Sequence, residues 1–161
     1  MTPVLEEQAP ATSRGRSAGP LADARRLRHR QQVDHLDYLR DLRALAGVMN
    51  QSDIARELGI SQPSVSSALK TAETVPQIPA GFHGASPLEI AQRYAAGEIT
   101  AETLVDELAR WPYKPMPRTD GVDWGLDATG TIAEVEHAAM AGMIEDDLYD
   151  QIVDRLERAA Q

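Results

Sequence analysis

Apolar residues recur at three- and four-residue spacing near the start of the chain. Val33, Leu36, Leu39, Leu42, Leu45 and Ala46 fall on one face of a helix. No proline interrupts the stretch from Leu21 to Gln62. The helix can therefore begin as early as Ala22, with an arginine-rich, mostly solvated first half, and should stop near Gly47. Two shorter helical patterns follow, at about 53–58 and 62–72. Residues 74–87 then break regularity with three prolines and two glycines. They lack the alternation that would build a β-wing, so 76–85 reads as a linker.

The second half opens on Ser86-Pro87-Leu88-Glu89, a capping box with proline at the first helical position. The pattern predicts a helix to Ala96 that stops at Gly97, and another over about 101–110, closed by Trp111-Pro112. Residues 112–130 are rich in turn formers, with Trp124 and Leu126 as expected anchors. Thr131-Ile132-Ala133-Glu134 reads as a second capping box, its helix stopping at Gly142, and a last helix covers about 145–159. Gly97-Glu98-Ile99 and Gly142-Met143-Ile144 align, and skipping one residue sets Leu104 on Leu148 and Leu108 on Ile152. Each half of this correspondence describes an αα-hairpin: glycine takes a left-handed C-cap, isoleucine plugs the joint, and Thr100 or Glu145 starts the next helix. A duplication, or the common demands of two tight joints, accounts for the likeness.

The expected fold is all-α. Residues 1–20 form a disordered tail, 21–75 a trihelical unit, 76–85 the linker and 86–161 a module of two αα-hairpins. The 161 residues carry a net charge of −9, unevenly spread: residues 1–75 sum to +1 and residues 76–161 to −10. Arg14, Arg16, Arg25, Arg26, Arg28 and Arg30 stand against Asp23 alone, giving +5 over residues 14–30. Such asymmetry suggests two modules with different partners. The absence of cysteine excludes a disulfide scaffold, cysteine-ligated metal and thiol catalysis. No apolar run approaches the ~20 residues that span a bilayer, and the first 30 residues lack a signal-peptide core, so a cytoplasmic protein is expected. Fourteen arginines against two lysines, with 24 alanines, suggest a GC-rich bacterial source.

Residues 51–70, QSDIARELGISQPSVSSALK, carry the strongest pattern. Ile54 and Leu58 are expected to face inward on the first helix, after an N-cap at Ser52. Ala55 is small where a second helix must cross closely. Gly59 suits a turn residue with positive φ. Ile60 is the expected buried turn residue, and Ser61 caps the second helix. Val65, Ala68 and Leu69 pack that helix back onto the first. The segment resembles the helix-turn-helix of bacterial and phage transcription regulators, over about 20 residues, or 40 with the preceding helix. The resemblance implies a sequence-specific DNA-binding regulator, acting as a repressor by covering an operator.

With Val65, Ala68 and Leu69 inward, Pro63, Ser66, Ser67 and Lys70 point away, with Gln62 at the exposed start. No carboxylate lies on this face. Gln62 suits adenine N6/N7 in the major groove, and serines can contact bases or phosphates. The amides at the helix start, with Ser61 and Ser64, can hold a phosphate. Lys70 and Arg56 are candidates for backbone contacts, and the Pro63 ring for a thymine methyl. Arg25, Arg26, Arg28 and Arg30 form either a phosphate- or minor-groove-gripping extension or a solvated helix face.

A homodimer on double-stranded DNA is expected, because one such unit touches few base pairs. The long first helix and the second module are both candidate dimer surfaces. No cofactor, metal or catalytic constellation is expected. His29, His35, His83 and His137 are scattered without ligand spacing, and Asp120, Asp123 and Asp127 depart from a calcium loop. Trp111, Tyr113 and Trp124 are read as core of the second module. Two rival readings stand beside the regulator. One is an antitoxin-type autoregulator whose acidic half neutralises a basic toxin. The other is an interaction adaptor without a DNA role.

Overall fold

The computed structural model describes residues 19–116 and 129–161. These residues form seven α-helices and no strand, so the fold is all-α. The expected disordered tail falls almost wholly on residues 1–18, and Trp124, Leu126, Asp120, Asp123 and Asp127 on 117–128, outside the described residues.

Helix α1 (Pro20–Ala46) is the longest element, and at about 1.5 Å per residue it spans roughly 40 Å. It starts two residues before the expected Ala22. Pro20 sits in its first turn, where its missing N–H leaves no helical bond unmade. Gly47 follows its last turn.

Helices α2 (Gln51–Leu58) and α3 (Gln62–Ala72) form a tight pair. The cap of α2 is Asn50, not Ser52. The Asp53 amide donates to Asn50 Oδ1 at 2.9 Å, and Asn50 Nδ2 donates back to the Asp53 carboxylate at 2.7 Å. This reciprocal pair satisfies an end amide and places Ser52 inside the first turn. Between the helices Gly59 has φ of +68°, as its left-handed position requires. The core of this region joins Leu42 of α1 to Ile54, Ala55 and Val65. Two expected core residues are not in it. Leu58 is 44% exposed and Ile60 39% exposed, because α2 has only two turns and crosses α3 at Ile54 and Ala55, short of both. Leu36 and Leu39 of α1 meet Ala68, Ala72 and Val75 farther along. Helix α3 thus runs back along α1, from the level of Leu42 toward Leu36.

Helices α4 (Pro87–Ala95), α5 (Ala101–Arg110), α6 (Ala133–Met140) and α7 (Asp146–Ala159) enclose a second core. It is built from Ile90, Ala91, Leu104, Val105, Leu108, Val135, Ala138, Ile144 and Ile152. Trp111 and Tyr113 pack against it. Ser86 caps α4 and Thr100 caps α5, each accepting from the amide three residues on. Gly97 and Gly142 turn the two joints with φ of +82° and +75°. The expected capping box at Thr131 is absent. Thr131 is buried, α6 begins at Ala133 after Ile132, and no side chain caps it. Glu134 instead accepts from the Leu88 amide at 3.3 Å, at the start of α4, so tertiary contact takes the side chain that a local cap would use.

Residues 76–85 are non-helical but firmly held. Arg40 Nε donates to the Pro76 carbonyl at 3.0 Å, Arg110 donates to the Gly81 carbonyl, and Phe82 packs edge-on against Trp111. Helix α1 contacts both sets of helices, α3 through leucines and α4 through charges.

Candidate nucleic-acid interface

The outward face of α3 follows from its inward one. Val65 is fully buried, and Ala68 and Leu69 pack beside it. At 100° per residue this leaves Gln62, Pro63, Ser64, Ser67 and Lys70 exposed, with Ser66 half-buried. The helix contains no acidic residue. Its far end is anchored by Arg43 of α1, whose Nη1 donates to the carbonyls of Ala72 and Val75 at 2.7 and 2.9 Å. The exposed face therefore sits on a helix clamped at both ends, by its crossing with α2 and by this arginine.

The tip of α3 is ordered by its own hydroxyls. Ser61 Oγ accepts from the Ser64 amide at 3.2 Å and lies 2.6 Å from Ser64 Oγ. Gln62 is not free: its Nε2 donates to Gln51 Oε1 at 3.0 Å. The carboxamide of Gln62 is thus oriented by the first residue of α2, with its own carbonyl oxygen left to accept. Sequence reasoning missed Gln51. Its signal was an amide side chain 11 residues before Gln62 across a short turn, which means little until the helices are placed.

The remaining basic candidates separate. Lys70 lies on the exposed face of α3. Arg56 turns to its own helix, with Nη2 2.8 Å from Asp53 and Nε 3.6 Å from Glu57. Arg25, Arg26, Arg28 and Arg30 lie on the first half of α1, short of the leucines that meet α3. Arg30 is some 18 Å along the axis from Leu42, the level of the α3 start, and Arg25 about 25 Å. Arg30 pairs with Asp34 at 3.1 Å and with Glu98 at 3.4 Å. Arg25 and Arg26 line a groove against Gly97, Ile99, Gly142 and Met143. The cluster and the α3 tip therefore occupy opposite ends of one molecule.

A buried charge network joins the α3-bearing region to the second core. Arg40 makes two hydrogen bonds of 2.8 Å to the two oxygens of Glu89. Arg93 bonds Glu89, Asp37 and Glu98. The Ala85 amide adds a bond to Glu89 at 3.0 Å. Burial pushes the Glu89 carboxyl up, but the bonds from Arg40, Ala85 and Arg93 outweigh it and hold the group below the usual carboxylate range. The hydrogen bond from Arg93 holds Asp37 low as well. Of these five side chains the sequence marked only Glu89, as the acid of the Ser86 capping box; its carboxylate turns instead to Arg40, Arg93 and the Ala85 amide. Their signal is charge at helix positions that continue a buried stripe: Asp37 and Arg40 beyond Val33, and Glu89 and Arg93 one turn apart.

A second buried carboxylate, Glu107, sits among leucines on α5 and accepts from the His83 amide at 2.9 Å and pairs with its ring. His83 thus fastens the connection between the helix sets, where the sequence showed only a linker histidine. His137 is exposed on α6. Burial, and then the Glu134 charge, raises the Tyr113 phenol above its ordinary pKa, and its hydroxyl donates to the Leu108 carbonyl at 2.7 Å. Among the described residues no cluster of His, Asp or Glu is placed to hold a metal ion, and no helix is long and apolar enough to cross a membrane. No family model, curated protein or solved structure matches this chain.

Proposed function

We propose that this protein binds double-stranded DNA through the exposed face of α3 and regulates transcription by occupying an operator. The observation that carries this reading is the exposed, carboxylate-free face of α3, presented on a short helix pair whose turn holds a left-handed glycine. A helix of this kind fits the major groove, which is about 12 Å wide. Gln62, held by Gln51, offers an amide for adenine or an accepting oxygen for a cytosine amine. Ser66 and Ser67 are suited to phosphates or base edges, and Lys70 to the backbone. The Gln62 amide at the α3 start, flanked by the Ser61 and Ser64 hydroxyls, suits a phosphate oxygen. The clamp from Arg43 and the α2 crossing support a rigid reader, which lowers the ordering cost of binding.

The test is selection of genomic fragments by the purified full chain beside a Gln62→Ala/Lys70→Ala variant. Enrichment of a few related fragments, lost in the variant, is the expected result. Equal enrichment by both chains, or no duplex binding at low salt, would overturn the assignment.

A further inference from the structure

His83 and Glu107 form a pair that stands apart from α3. Residue 83 meets one carboxylate twice: its amide donates to Glu107 Oε2 at 2.9 Å, and its ring Nδ1 lies 2.5 Å from Glu107 Oε1. A carboxylate only accepts, so Nδ1 carries the ring proton and Nε2 keeps its lone pair. The Glu107 side chain is 2% exposed and that of His83 58%. Nε2 makes no hydrogen bond among the described residues. The imidazole is thus fixed in tautomer and orientation from the inside and open on its outer edge. A buried carboxylate so placed steadies the positive ring that forms when Nε2 makes a new bond. Among the described residues, His83 alone of the histidines pairs with a carboxylate; His29 meets Gln32 and His35 stacks with Tyr38.

The ring borders a groove of about 390 Å³, lined also by Gly81, Glu102, Asp106, Arg110 and Arg155. Arg110 is held in place: it pairs with Asp106 at 2.9 Å, donates to the Gly81 carbonyl and lies 4.3 Å over the Phe82 ring. Arg155 of α7 makes no ion pair among the described residues. With Asp106 neutralised by Arg110, Glu102 is the groove's one carboxylate without an ion pair or hydrogen bond among the described residues. An exposed lone pair therefore stands beside two guanidinium groups, one anchored and one unpaired. Guanidinium forks match the oxygens of a phosphoryl group.

We infer that His83 is a phosphoryl-acceptor site, its Nε2 taking the group from an N-phosphoryl donor of the phosphoramidate class, with Glu107 as the positioning residue. In the step, Nε2 attacks phosphorus and an N–P bond forms as the donor's own P–N bond breaks. The donor nitrogen leaves as ammonia with the bonding pair. The ring becomes a phosphorylated imidazolium that keeps its Nδ1 proton on Glu107, and Arg155 and Arg110 face the phosphoryl oxygens. No oxidation is involved, and the charge of the zwitterionic donor passes unchanged to the product. The modified residue lies on the 76–85 connection between the two helix sets. The inference does not depend on DNA binding.

The experiment treats the purified full chain with phosphoramidate and maps phosphohistidine by mass spectrometry under alkaline conditions. Phosphorus NMR tells the Nε2 isomer from the Nδ1 isomer. The wild type carries its own controls in His29, His35 and His137. His83 should react about tenfold faster than each of them, and at Nε2 alone. Glu107→Gln presents an amide N–H to Nδ1, which moves the ring proton to Nε2. It should slow His83 by about tenfold and leave the other three rates and the circular dichroism unchanged. Nitrogen NMR should show the His83 proton on Nδ1 in the wild type and on Nε2 in the variant, a change that loss of packing alone would not make. Arg155→Ala, at an exposed position, should slow His83 alone. An unlabelled His83 overturns the proposal. So do similar rates at all four histidines, a label on Nδ1, and a Glu107→Gln or Arg155→Ala chain that reacts like wild type.

Discussion

Arg40 of α1 and Glu89 of α4 meet as a bidentate pair, both hydrogen bonds 2.8 Å long and both side chains more than nine-tenths buried. The pair joins the helix that carries α3 to the first helix of the second core. Removing one member strands a buried charge, which costs about 3–5 kcal/mol. Glu89→Met should therefore destabilise the chain by that order in urea unfolding. Arg40→Met/Glu89→Met should cost clearly less than the sum of the two single changes. Additive effects would mean the pair is not coupled.

The same network fixes a pH dependence. Hydrogen bonds from Arg93 hold the Asp37 carboxyl below its unfolded value of 3.8, and those from Arg40 help hold Glu89 below 4.5. A carboxyl with a depressed folded pKa binds protons more readily in the unfolded chain. Its contribution is present above the unfolded value and is lost as pH falls through the folded one. Thermal stability should be flat from neutral pH to about 5 and fall steeply below about 4. Glu89→Gln should start lower and fall less. A variant that parallels wild type through this range would remove Glu89 from the account.

Two glycines should fail for different reasons. At Gly59, with φ of +68°, an added Cβ meets nothing within 4 Å, so alanine pays only for the left-handed backbone, about 1–2 kcal/mol. At Gly84 a Cβ would stand 2.8 Å from the Ile90 amide nitrogen, and backbone must move. Gly84→Ala should be the more destabilising by calorimetry, and it should loosen the 76–85 connection to proteolysis.

Glu107 holds that connection from the core side. Glu107→Ala leaves the His83 amide without its acceptor and opens space beside the buried leucines of α5. We expect a loss of ~2–4 kcal/mol, from the cavity and the unmet donor together. Limited proteolysis should cut 76–85 faster, before global unfolding. Unchanged protection would place the anchor with Phe82 and Arg110 instead.

On the proposed DNA face, Lys70→Ala should weaken all duplexes alike and lower the salt slope by about one. Gln62→Ala should cost ~1–3 kcal/mol at one base pair of the operator. Gln51→Ala, which touches no DNA in this reading, should blur the same base pair by freeing the Gln62 amide. Binding across a panel of operator variants, titrated at several salt concentrations, separates the three effects.

The sequence by itself determined the helices. Apolar spacing, Ser61, Ser86 and Thr100 as caps, and Gly59, Gly97 and Gly142 as left-handed joints act within a few residues, and these elements stand where that chemistry puts them. It also marked the outward residues of α3, because an inward face defines its opposite. Where a second element competes for a side chain, local pattern was not enough. Asn50 took the cap expected of Ser52, Glu134 left its box for the Leu88 amide, and Leu58 and Ile60 stayed exposed beyond the helix crossing. Only the tertiary structure paired Arg40 with Glu89, 49 residues away, and Gln51 with Gln62. It also set Arg25 and Arg26 of α1 away from α3, beside the joints at Gly97 and Gly142. A charge shows in sequence what it needs, an opposite charge or water, but not which; packing decides that, because it alone controls which groups lose their solvent.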